Sequence, residues 1–322
     1  MTTMFKKAIK VTAVVMAAVL LFGFAPSNTV RSFAASADPD STRLPGAFDA
    51  AEDGLESLKK QIASLERIIE LNVPRAEKIP VLLYHHLVKE SEMNDAQRRN
   101  DSVLSVEQFS EQMKYLSEHK YYTASLYELE RYLSGKMILP ERTVVITFDD
   151  GYRSNTKYAY PVLKKYGYQA AIFLITSMIG EKENVIEHAG WGDLRKCGDV
   201  FSYFSHSHNM HSLRKDGKSI FQTSDSDAIT NDLLISKALL SASYMAYPYG
   251  QTGRAAKKAL TDAGYRMAFT TVASYVTRKS DKLEIPRFTI TPNIDIDKFE
   301  IICSGLADNA TASDEISIDL PV

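Results

Sequence analysis

Short apolar runs that alternate with helix-period segments, from Ile79 onward, constrain the fold more than any other feature of this chain. Each run is hydrophobic at successive positions, and several runs end on a polar residue. Strands have this composition when helices cover both faces of a parallel sheet, so the pattern predicts an α/β fold made of repeated β/α units. The predicted strands are Val81 to Tyr84, Val144 to Phe148, Ala170 to Ile175, Val200 to Phe204, Tyr244 to Tyr247 and Ile285 to Thr289.

Two capping boxes predict where helices begin between these strands. Ser105 lies three positions before Gln108, Ser125 lies three positions before Glu128, and an amphipathic stretch follows each pair. The serine hydroxyl of such a pair accepts a backbone N–H, while the Gln or Glu side chain bonds back to the serine N–H. We therefore expect a helix to begin at each serine.

The first 37 residues predict export. Three lysines come before an apolar run from Val11 to Ala25, which is shorter than the about 20 residues that span a bilayer. Ala35-Ser36-Ala37 then has the small-x-small form of a cleavage site. We expect a signal peptide cut after Ala37; the alternative is an uncleaved anchor that associates the chain with the membrane. Both alternatives place the rest of the chain outside the cytoplasm of a bacterium.

Three segments follow the first 37 residues. Residues 38–77 are expected to form a linker and an amphipathic helix, residues 78–305 one α/β domain, and residues 306–322 a polar tail. The helix is predicted from apolar residues spaced three and four apart, as in a short coiled coil or a helix packed on a neighbour. Fewer than three heptads are present, so the oligomeric state stays open. The apolar residues are Leu55, Leu58, Ile62, Leu65 and Ile69.

Composition excludes two classes of protein. Without the first 37 residues, 34 of the 38 basic residues remain against all 40 acidic ones, a net charge of about −6. Domains that bind nucleic acid usually have a basic surplus, so a nucleic-acid partner is not expected, whereas a neutral or partly cationic glycan fits. The two cysteines, Cys197 and Cys303, are too few for a disulfide framework, and we expect two buried thiols.

Residues that can act as ligands, acids or bases lie where the predicted strands end. In a β/α barrel the C-terminal ends of the strands open onto the face that carries the active site. Solvated histidines would be scattered along the chain, yet only His119 and His188 lie away from a strand end, and we interpret these two as structural. The strand-end residues are His85, His86, Asp149, Asp150, His206, His208, His211, Tyr247, Tyr249 and Arg287.

Asp149 and Asp150 stand side by side at the end of a buried strand. Two adjacent carboxylates repel each other and are costly to desolvate unless a cation or a proton is near. Successive side chains of a strand point to opposite sides, so one carboxylate can hold a metal while the other acts as a general base. The alternative is that Asp-Gly marks only a turn.

His206 and His211 are five positions apart, a spacing that shares no face of a helix or a strand. Both can reach one ion only across a tight loop. Two imidazoles and one carboxylate leave open positions on a zinc-like ion, as in catalytic zinc sites. His208 forms an i, i+3 pair with His211 and would be the alternative ligand if this segment were helical.

Thr147-Phe148-Asp149-Asp150-Gly151, together with Ser205 to His211, resembles the NodB-type polysaccharide deacetylases, carbohydrate esterase family four. The resemblance runs from about Ile79 to about Ser304 and implies a distorted, incomplete (β/α) barrel. It also implies a divalent metal, most often zinc.

The resemblance assigns a role to each motif residue. Asp149 corresponds to the catalytic base, and Asp150, His206 and His211 correspond to the metal ligands. Val81 to His85 is similar to the N-terminal Tyr-His of the poly-N-acetylglucosamine branch, which gives His85 the role of the general acid.

One family motif departs from its usual form. The Arg-x-Pro-Tyr motif appears as Ala246-Tyr247-Pro248-Tyr249 without its arginine, and Arg287 is a candidate replacement. By the same resemblance the backbone N–H of Tyr249 helps to hold the oxyanion, and Tyr247 is placed with it at the substrate. The roles of His86 and His208 stay open. Trp191, the only tryptophan, is expected in the core, and the alternative is that it stacks on a sugar ring.

The expected function is hydrolysis of acetyl groups from N-acetylglucosamine units of an extracellular or cell-wall polysaccharide, with release of acetate. Poly-N-acetylglucosamine, peptidoglycan and chitin-like glycans are the candidate substrates. One alternative is an esterase for O-acetylated glycans such as xylan, and another is a non-catalytic cell-wall binding or adaptor module. A zinc peptidase is disfavoured because the chain has no His-Glu-x-x-His motif.

Overall fold

The structure is a computed structural model that describes residues 74–183 and 186–307. The predicted signal peptide or anchor, the Leu55 to Ile69 helix and residues 308–322 of the tail lie outside the described residues. All of the elements below belong to one compact unit of the chain.

Eight parallel strands form the central sheet, in the order β11-β10-β9-β6-β5-β1-β12, with β4 also paired to β5. A parallel pair, β2 with β3, and an antiparallel pair, β7 with β8, lie outside it. The strands are β1 Val81–Tyr84, β2 His86–Val88, β3 Val103–Ser105, β4 Tyr122–Thr123, β5 Thr143–Phe148, β6 Ala170–Leu174, β7 Lys182–Glu183, β8 Ile186–Glu187, β9 Phe201–Ser205, β10 Tyr244–Ala246, β11 Met267–Phe269 and β12 Phe288–Thr289.

Helices connect most of these strands. Short 3-10 helices at Glu90–Glu92, Thr176–Met178 and Pro248–Gly250, and a π-helical turn at Asn155–Ala159, complete the connections. The α-helices are α1 Asp95–Arg98, α2 Val106–Glu118, α3 Leu126–Leu133, α4 Tyr160–Tyr166, α5 Trp191–Lys196, α6 Ile220–Thr223, α7 Ser226–Leu240, α8 Arg254–Asp262 and α9 Ile296–Cys303.

Both predicted capping serines begin helices. Ser105 accepts the Gln108 N–H at 3.0 Å at the start of α2. At the start of α3, Ser125 accepts the Glu128 N–H at 3.2 Å and its own N–H donates back to Glu128 at 2.8 Å. These two helix starts are confirmed.

The central strands are buried on both faces, which explains their unbroken hydrophobic sequences. In β5, Ile146 and Phe148 pack into one hydrophobic cluster, whereas Val145 packs into the cluster on the opposite face. In β6, Ile172 and Phe173 divide in the same way. Each such side chain contributes about 1.5–3 kcal/mol by leaving water, so the sheet is a stable base for the loops at its C-terminal edge.

The last predicted strand is shorter than expected and the sheet has strands that the sequence did not predict. Only Phe288–Thr289 pair with β1, while Ile285 forms an isolated bridge to Phe269 of β11. Strands β4 and β11 were missed because runs of two and three residues give no periodic signal.

Cys197 and Cys303 are buried, unpaired thiols, as predicted. Within residues 74–183 and 186–307, none of the helices combines the length and the apolar character needed to cross a bilayer.

Candidate active site

The site lies where β1, β5, β9 and β10 end. These strands are parallel members of one sheet, so the residues that follow them share one edge. The backbone there is unusual: Asp150, Ser207 and Tyr249 are left-handed, with φ of 70°, 68° and 58°. Such a conformation is unfavourable for residues other than glycine and is typical of functional sites. Elsewhere in the described chain, only Lys120 and Ser241 among non-glycine residues share it, each next to a helix end.

Asp150, His206 and His211 converge on one point. Their ligand atoms all lie within 4.8 Å of one another, and Asp150 Oδ1 is 3.5 Å from His206 Nε2 and 3.4 Å from His211 Nε2. Asp150 Oδ1 is buried and has no hydrogen-bond partner among the described residues. A buried carboxylate oxygen without a donor but facing two imidazole nitrogens fits a divalent metal of the zinc type.

The protonation states at this point also suit a metal. Burial alone would raise the pKa of Asp150, but the charges of His211, His85 and His206 outweigh it and bring the pKa to about 2. Burial lowers the pKa of His206 to about 4. The His206 Nδ1–H donates to the Ala246 carbonyl at 2.8 Å, which leaves Nε2 as the free lone pair. At neutral pH the site therefore offers an anionic carboxylate and a neutral imidazole, the forms that bind metals.

Asp149 and Arg287 form a buried, bidentate ion pair. Arg287 Nη1 donates to Asp149 Oδ1 and Nη2 donates to Oδ2, both at 2.7 Å. Burial by itself would raise the pKa of Asp149, yet the guanidinium and His206 hold it below its ordinary value. The guanidinium faces the rings of Phe173 and Phe269, and its Nε donates to the Thr270 carbonyl at 2.9 Å. The structure thus places an arginine against the expected base although the usual motif arginine is missing.

His85 and His86 are sequence neighbours with different surroundings. His85 is half-buried, and its charge acts on both Asp149 and Asp150. The His85 carbonyl accepts the Asn155 side-chain amide at 2.7 Å, which fixes the backbone after β1. His86 instead has Nδ1 at 2.9 Å from Ser154 Oγ, and burial lowers its pKa to about 4. The charge of His85 therefore acts on the two carboxylates, whereas His86 is bound to Ser154.

His208 does not join the two metal-facing histidines. Its Nδ1 lies 3.0 Å from Thr176 Oγ1, and it is absent from the converging group of Asp150, His206 and His211. The i, i+3 arrangement on a helix that would have made His208 the alternative ligand is not formed, because the His206 to His211 segment is a loop.

The two tyrosines after β10 have different environments. The Tyr249 ring stacks on His211 with centroids 4.4 Å apart and an interplanar angle of 26°, and 37% of the residue is exposed. Tyr247 is fully buried, and its hydroxyl donates to the Leu283 carbonyl at 2.9 Å. The expectation that Tyr247 lies at the substrate is therefore corrected, because its side chain is part of the core.

Two residues at the edge of the site were not predicted. The Tyr152 side chain helps to lower the pKa of Asp150, and its ring lies 5.2 Å from those of His86 and His188. His188, interpreted from the sequence as a structural histidine, is buried and is affected by the charge of Asp150. Tyr152 directly follows the Asp-Asp-Gly segment, so its position in the sequence could have pointed to the site. His188 is distant in sequence, and only its backbone bridge to Tyr152 in the structure shows that it lies near the site.

Trp191, expected in the core, is 41% exposed.

Known proteins resemble this chain in both sequence and structure. The sequence profile of the family described as polysaccharide deacetylase matches residues 136–268. Proteins named poly-beta-1,6-N-acetyl-D-glucosamine N-deacetylase, from Staphylococcus epidermidis and Staphylococcus aureus, are each 31% identical over 228 residues. The match covers 65% of this chain and 78% of either relative.

Solved structures support the fold. IcaB from Ammonifex degensii superposes with a TM-score of 0.62 at 24% identity, over 72% of this chain and 99% of that one. The Streptococcus pyogenes deacetylase PplD, solved in complex with acetate, gives a TM-score of 0.62 at 23% identity, with the same coverage of both chains. The predicted incomplete (β/α) barrel is thereby confirmed. Together with the sequence relatives, this likeness leads to one conclusion: the chain belongs to the NodB-type polysaccharide deacetylase family of hydrolases.

Proposed function

We propose that this protein uses a divalent metal, zinc in the first instance, to remove acetyl groups from N-acetylglucosamine units of an extracellular or cell-wall polysaccharide. The observation that carries the proposal is the pairing of Asp149 with Arg287 beside the group of Asp150, His206 and His211. A protein that only binds a glycan would need no general base such as Asp149 beside a set of metal ligands. The staphylococcal relatives make poly-β-1,6-N-acetylglucosamine the first substrate to test.

Asp149 takes the proton of the attacking water. Arg287 occupies both carboxylate oxygens, so it fixes the plane of the base and keeps it ionised at neutral pH. A bound metal would polarise the acetyl carbonyl and lower the pKa of water from about 15.7 towards about 7. Asp149 is a weak base because its pKa is low, so it can take a proton only from water that has been acidified in this way.

His85 donates a proton to the departing amine. It follows β1, which lies on the other side of β5 from β9, and its charge acts on both carboxylates. The amine must leave protonated because an amide anion is a poor leaving group. The Tyr249 N–H is assigned to the oxyanion, where one such donor contributes about 3 kcal/mol.

Acetate release distinguishes the proposed substrates. Soluble poly-β-1,6-N-acetylglucosamine, chitooligosaccharide, peptidoglycan fragments and O-acetylated xylan are each incubated with zinc-loaded protein and with chelator-treated protein. We expect zinc-dependent release from the first substrate at the highest kcat/KM. Preference for acetylated xylan would assign an esterase instead, and metal-independent release would contradict the mechanism.

Export belongs to the same proposal. It rests on the first 37 residues, whose lysines, apolar run and Ala35-Ser36-Ala37 are typical of a signal peptide or an N-terminal anchor. Fractionation of a bacterial host that expresses the full chain tests it, with accumulation in the cytoplasm as the contradicting result.

A further inference from the structure

The loop from His206 to His211 has no regular backbone to set its shape. It follows β9, and Ser207 within it is left-handed with φ of 68°. Histidines five positions apart share no face of a helix or strand. Their convergence on Asp150 therefore depends on the groups that bind the loop backbone.

The carbonyl groups of the loop are bound by the end of β6. The Thr176 N–H donates to the Ser207 carbonyl at 3.1 Å, and the Ser177 N–H donates to the His208 carbonyl at 3.0 Å. Both donors belong to the 3-10 helix that directly follows β6. The segment that follows β6 thus binds the loop through the carbonyl groups of the loop.

The N–H groups of the same loop are bound by one carboxylate from a helix. Asp232 of α7 accepts the His208 N–H through Oδ2 and the Asn209 N–H through Oδ1, both at 2.7 Å. Asp232 is only 7% exposed. Burial raises its pKa, while the two N–H groups favour its charged form. Bonds of this length to an ionised acceptor are the stronger, charge-assisted kind.

The next turn of α7 contacts the start of the loop. Ser236 Oγ donates to Ser205 Oγ at 2.8 Å, and Ser205 Oγ accepts the Ser207 N–H at 3.2 Å. Helix α7 therefore binds the segment at both its beginning and its middle, whereas the ligand atoms themselves face Asp150.

We propose that Asp232 is the positioning residue of the histidine loop: by binding two successive N–H groups it sets the relative placement of His206 and His211, and with it the affinity for the metal. Asp232 is outside the ligand group and acts only through the loop backbone. Groups that orient ligands in this way are part of the affinity of a metal site. The inference rests on the proposed function for the presence of a metal.

Asp232→Asn is the main test. The substitution keeps the size of the side chain but replaces one acceptor oxygen by an NH2 donor, so one loop N–H loses its partner. We expect zinc affinity to fall by about 10- to 100-fold, measured by competition with a chelator on protein shown to be folded by circular dichroism. Excess zinc should restore kcat, and KM for a soluble N-acetylglucosamine oligomer should not change. Asp227→Asn, an exposed carboxylate in the same helix, is the matched control and should bind zinc like the wild type.

Unchanged zinc affinity in folded Asp232→Asn overturns the proposal. If that variant does not fold, Asp232→Glu provides the second measurement: it keeps the charge but moves the carboxylate, so weaker zinc binding is expected and wild-type affinity contradicts the proposal. Wild-type protein that binds zinc yet releases no acetate contradicts the proposed function alone, because affinity is measured without substrate. Wild-type protein that binds no zinc contradicts both.

Discussion

The base side and the ligand side of the site are held by different kinds of interaction. On the base side, Asp149 and Arg287 fix each other through two side-chain bonds inside the core. On the ligand side, His206 and His211 are placed by a loop whose backbone is bound from β6 and α7. One active site can thus divide its chemistry and its metal affinity between two separately held parts. Substitutions on the base side should then change turnover with the metal retained, and substitutions on the ligand side should lose the metal.

His211→Ala has the largest expected effect. It removes one of the three converging ligand atoms, so stoichiometric zinc and all activity should be lost. His208→Ala is the matched control within the same loop, and it should keep the metal because His208 contacts Thr176 instead. Zinc content after gel filtration gives the measurement, and a His211→Ala protein with one zinc per chain would contradict the ligand assignment.

Asp149→Asn tests whether the base side is separable from the metal. The amide keeps the shape of the carboxylate but accepts no proton, so turnover should fall by about 100-fold or more. Zinc content should stay at the wild-type level. Loss of zinc together with activity would contradict the separation of the two sides, because it would make Asp149 a ligand.

His85→Ala should have a smaller and substrate-dependent effect. A general acid is needed for the departure of an amine, and much less for an activated ester whose leaving group needs no proton. The ratio of amide to ester turnover should therefore drop in His85→Ala but not in Asp149→Asn. An equal loss on both substrates, or loss of zinc, would remove His85 from the role of the acid.

His86→Gln has the smallest expected effect and concerns stability. The pKa of His86 is about 4 in the folded protein because of burial, below the ordinary value of about 6.5. The unfolded chain therefore binds the proton first, and the contribution of neutral His86 to stability is complete above about pH 6.5 and is lost as pH falls towards about 4. Urea unfolding at several pH values should show a shallower decline for His86→Gln, with acetate release at pH 7 nearly unchanged. If the free energy of unfolding fell equally with decreasing pH in the wild type and in His86→Gln, the lowered pKa of His86 would be contradicted.

The sequence predicted most of the sheet, because strands such as Val144 to Phe148 are buried on both faces and are hydrophobic throughout. It also predicted that the strand-end residues would lie together, since parallel strands end at one edge. The Asp149 and Arg287 contact was foreseen only as a replacement for a missing motif residue, and the structure gives its geometry.

The errors come from local backbone geometry and from long-range contacts. Tyr247 and Tyr249 are two positions apart, which on a strand would put both side chains on one face. Strand β10 ends at Ala246, and the left-handed Tyr249 lies in the 3-10 helix that follows, so Tyr249 stacks on His211 while Tyr247 enters the core. No local pattern reports that Asp232 binds the histidine loop or that His188 approaches Asp150, since each contact joins segments that are distant in sequence.

The five left-handed non-glycine residues in the described part of the chain form two groups with different uses in protein engineering. Asp150, Ser207 and Tyr249 hold their unfavourable backbone at the site. Glycine there would remove the Asp150 carboxylate, the Ser207 hydroxyl that accepts the Met210 N–H, or the Tyr249 ring that stacks on His211. Lys120 and Ser241 pay the same conformational penalty next to the ends of α2 and α7, where neither side chain contacts the site. Glycine relieves a penalty of about 1 kcal/mol per residue, so these two positions offer a route to a more heat-resistant deacetylase that leaves its catalytic surface untouched.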